Sequence, residues 1–226
     1  MATREEILDF FDANAETYRF LSQMLLKELT QEAIDELSCA EWPEDTGNDH
    51  LDRGYDLLRR YFAFSEGDRR SQLAVEYARI FLAAGVYARE KETAVPYESV
   101  FTSEEHVVMG ESRDKVVAWF AEDGFQVDPE LHEPEDHLSF ELEYLSVMNE
   151  RAGSLLRAND CDGLALNVRR QASFIDAHLS NWIGPLASVA SEYAKTAFYL
   201  GMLEVTQGAL EQTRAMLGEI YEHLPR

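Results

Sequence analysis

The chain predicts an all-α fold, a single globular bundle of about nine or ten helices, and three observations point to it. Apolar residues recur every three to four positions over most of the length, the period of one helix face. Signals for helix starts, Ser, Thr or Asp ahead of an apolar run, recur along the chain. No stretch alternates apolar and polar residues between turn signals as a half-buried strand does, and no repeat of fixed period is visible.

The elements follow in order. Thr3-Arg4-Glu5-Glu6 has the form of a capping box, and behind it Ile7, Phe10, Phe11, Tyr18, Leu21, Leu25 and Leu29 hold helical spacing. Thr30 caps a short second helix through Leu37. The stretch 41–49, rich in Pro, Gly, Asn and Asp, is a loop. Leu51 to Phe64 is a third helix; Ser65 begins a fourth, with Leu73, Tyr77, Ile80 and Phe81 on one face and its end near Gly85. Residues 85–103 keep no period and form a long ordered or partly extended loop, a length at which loops are often functional. Ser103–Met109 is a short helix, and Ser112 caps another that runs through Glu122 and is ended by Gly124. Pro129 and Pro134 keep 125–137 irregular, a hinge or subdomain boundary. A strong helix starts at Asp136 and reaches about Ala158, with a turn at 159–163 behind it. The next helix extends to Trp182, where Ile-Gly-Pro breaks it, and the last two occupy roughly Pro185–Tyr193 and Tyr193–Leu224. The expected organisation is one domain over 1–226: an N-terminal subdomain of about 1–124, a hinge at 125–135, and C-terminal helices over 136–226.

Composition narrows the function classes. Forty-three acids against 20 bases give a net charge of −23, which repels nucleic acid and anionic lipid and attracts basic partners. At 46% hydrophobic the chain can still bury a proper core. Cys39 and Cys161 stand far apart with no CxxC spacing, which fits a reducing compartment. The N-terminus has acids where a signal peptide needs an apolar core, and no apolar run approaches the ~20 residues of a membrane span. The expectation is a cytoplasmic protein with no membrane insertion.

Glu133-Pro134-Glu135-Asp136-His137 concentrates the chemistry, and four readings of it stand. A metal site would use Asp136, His137 and Glu141 on one helix face; but none of the six histidines follows a Glu at three residues, HExxH is absent, and no cofactor is expected. An acid–base centre would pair the carboxylates with His137; no GxSxG, GK[ST] or GxGxxG accompanies it. A helix cap would use Asp136, with Glu133 and Glu135 beside the positive end of the helix dipole and a neutral His137 hydrogen-bonding across the hinge. A binding groove would use the charge: from Val116 to Glu150 there are ten acids and no Lys or Arg, with Tyr97 and Phe101 just upstream. Apolar anchors beside acids suit a peptide with a basic end and an apolar body.

Four stretches taken together resemble the TorD/DmsD family of cytoplasmic redox-enzyme maturation chaperones. Tyr-Ala-Arg-Ile-Phe (77–81) is similar to that family's Tyr-x-x-Leu-Phe, and Pro-Tyr-Glu-Ser-Val-Phe (96–101) to its Pro-aromatic-x-Ser-x-aromatic segment. Residues 133–142 resemble its Pro-x-Asp-His hinge, and 174–187 its Phe-x-x-x-His-Leu-x-x-Trp stretch. The order holds over roughly residues 5–220. The resemblance implies a non-enzymatic chaperone that binds the twin-arginine signal peptide, or the apo form, of a molybdopterin oxidoreductase catalytic subunit and holds it for cofactor insertion before export. It implies peptide contact at Tyr77, Phe81, Tyr97, Ser99, Phe101, Pro134, Asp136 and His137, and Asp136 with neighbouring Glu side chains would pair with the arginines. The family often has Trp-Gly where this chain has Tyr97-Glu98, and the extra carboxylate implies a more acidic groove. The runners-up are a small all-α metalloprotein or enzyme centred on 133–141 and an assembly factor that docks a folded partner. The chain is read as a monomer or a domain-swapped homodimer, which the hinge would permit.

Overall fold

The structure is a computed structural model that describes residues 3–82 and 94–224. Among these residues there is no strand, only one isolated antiparallel bridge between Tyr97 and His137. The helices are α1 (Arg4–Leu26), α2 (Gln31–Ser38), α3 (Asp49–Phe64), α4 (Arg69–Phe81), α5 (Glu98–Thr102), α6 (Glu111–Asp123), α7 (Leu138–Arg157), α8 (Cys161–Phe174), α9 (Ile183–Tyr193) and α10 (Phe198–His223). The all-α expectation is met. A 3-10 turn at Pro129–Leu131 and a π-helical turn at Ile175–Leu179 complete the set.

Several boundaries fall where their caps dictate. Thr30 caps α2 as expected, its side chain accepting from the Ala33 amide. Ser65 closes α3 instead of opening the next helix; α4 starts after Asp68, whose carboxylate accepts from the Ser71 amide. The fourth helix ends at Phe81, with Leu82 as its C-cap; Gly85 and the loop residues 83–93 lie outside the described residues. The expected helix at 103–109 is replaced by two turns, because α5 stops at Thr102 and His106 and Met109 have φ of +51° and +64°. A residue in the left-handed region cannot continue a right-handed helix. Ser112 does not cap α6; Gly110 does so with backbone alone, and Gly124 ends it at φ +70°. Ile-Gly-Pro opens α9 instead of only breaking what precedes it, since proline fits a first helical turn where its missing N–H has no partner to lose.

The chain divides into two compact units, one of residues 3–23, 97–181 and 209–224, the other of 24–82, 94–96 and 182–208. The segment 125–137 lies wholly inside the first unit.

In the first unit α7 is central. Leu138–Leu142, Tyr144–Ser146, Met148 and Asn149 are all buried, so the helix is enclosed on most of its circumference. Tyr144 packs on Phe174 at 4.4 Å between centroids and on Phe120 and Phe125. Its hydroxyl donates to Asp123 at 2.6 Å and accepts from the Trp119 indole at 3.0 Å. Tyr18 is fully buried, and its hydroxyl reaches Thr213 at 2.8 Å.

In the second unit an aromatic cluster of Tyr61, Phe62, Tyr77, Phe81, Phe198 and Tyr199 forms the core, with neighbouring centroids 5.0–5.9 Å apart. Helices α3 and α10 cross on Gly54 and Gly201: a Cβ on Gly54 would sit 2.8 Å from the Gly201 carbonyl oxygen, so only glycine allows the approach. Glu76 is 1% exposed, and its Oε1 accepts the Lys195 and Thr196 amides at 2.6 and 2.7 Å, which caps the start of the segment leading into α10.

Candidate functional site at the α5–α7 junction

The first unit brings residues 97–101 and 133–137, from two of the motif stretches, into one junction. Backbone pairing does the alignment: the Glu98 amide donates to the Asp136 carbonyl at 2.9 Å, beside the Tyr97–His137 bridge. Asp136 Oδ2 then accepts the Ser99 amide at 2.9 Å. Asp136 thus caps α5, a helix 37 residues earlier in the chain, and does not cap the helix that follows it. That role belongs to His137, whose Nδ1 accepts the Ser139 amide at 3.1 Å.

The electrostatics follow from burial. Asp136 is 0% exposed and His137 3%. Burial raises the Asp136 carboxyl above its ordinary range, although the hydrogen bonds from Ser99 act the other way. Burial pushes His137 down to about 4, so at neutral pH it is the uncharged imidazole that a cap acceptor requires. The expectation of a neutral His137 is met, but its bond lies within its own helix start and not across a hinge.

Around this buried pair the polar surface is ordered by short contacts. Tyr97 is half-buried, its ring edge-on to His137 at 5.1 Å, and its hydroxyl donates to Glu133 at 2.5 Å. Arg113 on α6 pairs with Glu135 at 2.6 Å, holding that carboxyl below its usual range, and the same pairing raises the guanidinium. Pro134 is half-buried, and its carbonyl accepts the His137 amide at 3.1 Å. Phe101 is half-buried on α5.

Glu98 corrects one expectation. It is 3% exposed and lies 3.0 Å from His178 Nδ1, so its carboxylate faces the interior and adds no acid to an outer groove. His178 sits on the π-helical turn, among Trp119 and Phe174 at 5.2 and 5.0 Å. A π turn inserts an extra residue per turn and re-aims side chains, and such turns are frequent at functional sites. The sequence held both members of this pair within quoted motifs, yet nothing in their spacing connects residues 80 apart.

The junction unites Tyr97, Ser99, Phe101, Pro134, Asp136 and His137. Tyr77 and Phe81 belong to the second unit, 4% and 1% exposed; the Tyr77 hydroxyl donates to the Leu26 carbonyl at 2.7 Å, and both rings pack on Tyr199. Among the described residues no group of three or more His, Cys, Asp or Glu side chains could hold a metal ion, and no helix is long and apolar enough to cross a membrane. A cavity of about 250 Å³ opens elsewhere in the first unit, lined by Glu122, Asp123, Arg151, Leu155, Leu166 and Arg170 among others, and includes none of the motif residues.

Residues 48–188 match the family model described as nitrate reductase delta subunit. The chain is also similar to chaperone protein TorD of Vibrio vulnificus, 29% identical over 203 residues that cover 86% of this chain and 90% of the relative. Chaperone protein TorD of Vibrio cholerae is 23% identical over 226 residues, covering 96% and 98%. These relatives carry the name of a chaperone and not of an enzyme, which supports the non-enzymatic expectation. With the family model matched over more than half of its length, the chain belongs to the nitrate reductase delta subunit family, the family of the TorD chaperones.

Proposed function

We propose that this protein is a cytoplasmic maturation chaperone that binds the basic, apolar twin-arginine leader, or the apo form, of a molybdopterin oxidoreductase subunit and holds it for cofactor insertion before export. The observation that carries this reading is the division of labour at the α5–α7 junction. Asp136 and His137 are buried and spent on capping α5 and α7, which fixes Tyr97 and Glu133 on the surface beside them. In this reading Glu133, exposed and already oriented by the Tyr97 hydroxyl, pairs with a leader arginine, a bidentate match that carboxylates offer guanidinium groups. Tyr97, Pro134 and Phe101 supply apolar surface next to it. Ser99, Asp136 and His137 act as positioning residues, and Tyr77 and Phe81 contribute through the core of their own unit.

The test is a calorimetric titration of the purified chain with a synthetic twin-arginine leader, and with a control in which both arginines are glutamine. The expected result is micromolar binding that is lost in the control and weakens with salt, because exposed charge pairs are screened. Glu133→Gln should weaken binding to the arginine leader about twofold to fivefold, the size of an exposed ion pair, while the melting temperature is unchanged. Equal affinity for both peptides would sink the leader reading.

A further inference from the structure

Two turns join α5 to α6, and they hold three consecutive large apolar side chains out to solvent. Val107 is 50% exposed, Val108 42% and Met109 62%. Single exposed apolar residues are ordinary, but three in a row form a patch of the kind that marks an interaction site.

The turns are pinned and do not trail loosely. The Ser103 hydroxyl donates to the Ser99 carbonyl at 2.7 Å, His106 Nδ1 donates to the Val100 carbonyl at 2.8 Å, and the His106 amide donates to the Ser103 carbonyl at 3.4 Å. A Cβ on Gly110 would meet the Ser99 Cβ at 3.3 Å, so the far end of the segment lies close against α5. His106 and Met109 both take left-handed backbone, a conformation that costs free energy for any residue with a side chain. Ser99, the residue whose amide Asp136 caps, and its neighbour Val100 are the anchors on α5. The apolar patch is therefore tied through α5 to the junction described above.

Charge names the occupant. Glu104 and Glu105, next to the patch in the chain, are exposed and make no ion pair among the described residues. The other acids nearby are engaged: Glu111 with Lys115, Asp114 and Glu135 with Arg113. Two unneutralised carboxylates beside an apolar patch complement a segment that is apolar with basic residues next to it. We infer that Val107, Val108 and Met109 form the contact for the apolar run of a bound leader, with Glu104 and Glu105 facing its basic flank. This inference rests on the leader-peptide reading and adds residues that no motif pointed to.

The experiment uses the full chain and three peptides: the twin-arginine leader, the same leader with its apolar run replaced by serines, and the glutamine control. The wild type is expected to bind the apolar leader at least about tenfold more tightly than the serine leader, the effect of removing the remaining exposed surface of a few aliphatic side chains. A Val107→Ser, Val108→Ser, Met109→Ser variant should lose that difference while still discriminating arginine from glutamine. A Val107→Ile, Val108→Ile, Met109→Leu variant should keep both. If the serine variant retains its preference for the apolar leader, the patch is not the contact. A wild type that binds the leader but ignores its apolar run overturns the inference and leaves the leader reading standing. Loss of both discriminations in the serine variant would make the patch structural and overturn the inference; no binding of any leader by the wild type would overturn both.

Discussion

Two motif regions carry resemblance to the same family, and the molecule uses them in opposite ways. In the second unit Tyr77 and Phe81 lie one helical turn apart on α4 and vanish into an aromatic core. In the first unit Tyr97, Glu133 and Pro134 stay at or near the surface, because the buried neighbours Asp136 and His137 hold two helix starts in register. The difference teaches that a motif residue can be retained for packing, for capping or for contact, and that its position within the element decides which. Residues at helical spacing inside a helix join its buried stripe. Residues at helix ends face orphan amides and become caps.

The largest expected effect sharpens the packing side of the comparison. Phe81→Ala should destabilise the protein by about 3–5 kcal/mol, the usual cost of deleting a fully buried ring and leaving a cavity, read as a fall in the midpoint of urea unfolding. If Phe81→Ala instead left stability nearly unchanged, the ring would not be core in solution and would return to the set of contact residues.

Next in size is a pH effect at the junction. The folded pKa of His137, about 4, lies below its ordinary 6.5. The unfolded chain therefore binds a proton that the folded chain refuses, and stability falls as pH drops from about 6.5 toward 4, by roughly 3 kcal/mol at most. Asp136 acts in the opposite sense: its carboxyl is raised on folding, so its protonation favours the folded state. The interval from about pH 5 to 6.5 lies between the folded and ordinary values of His137. His137→Asn retains a side chain that caps well and removes the titration, so its unfolding free energy should be flatter over that interval than the wild type's. An unchanged slope would mean that another group carries it.

The smallest effect separates capping from contact. Asp136→Ala should cost about 1–2 kcal/mol for the lost α5 cap. Because α5 anchors Tyr97 and the 103–110 turns, leader binding should weaken as well. Asp136→Asn, whose side-chain oxygen can still accept the Ser99 amide, should restore most of both. Restoration by Asn assigns Asp136 to positioning; failure of Asn to restore binding, with stability recovered, would place the Asp136 charge against the peptide itself.

What could be read without the structure was what local chemistry determines. The helical period, the Thr30 cap and the Gly124 stop are all decided within a few residues of chain, and each stands in the structure; so does the loop expected at 41–49, except that Asp49 already opens α3. Local chemistry fails to decide the outcome where two local signals compete or where a partner is distant. Ser103–Met109 contains good helix formers, yet the side-chain and backbone bonds to Ser99 and Val100 hold it as turns. Asp136 has the type and place of an N-cap, and a nearest-neighbour reading assigns it to the following helix.

Tertiary structure alone decided that Asp136 caps α5 and His137 caps α7, that Glu98 turns inward to His178, and that Val107–Met109 stand in water. The sequence by itself determined the all-α class, the acidic surface and the motif order, because helical period and charge are properties of neighbouring residues. The assignment of caps and buried carboxylates depended on which orphan amide or imidazole lay within hydrogen-bond reach. That is settled by packing between segments tens of residues apart, and no local spacing encodes it.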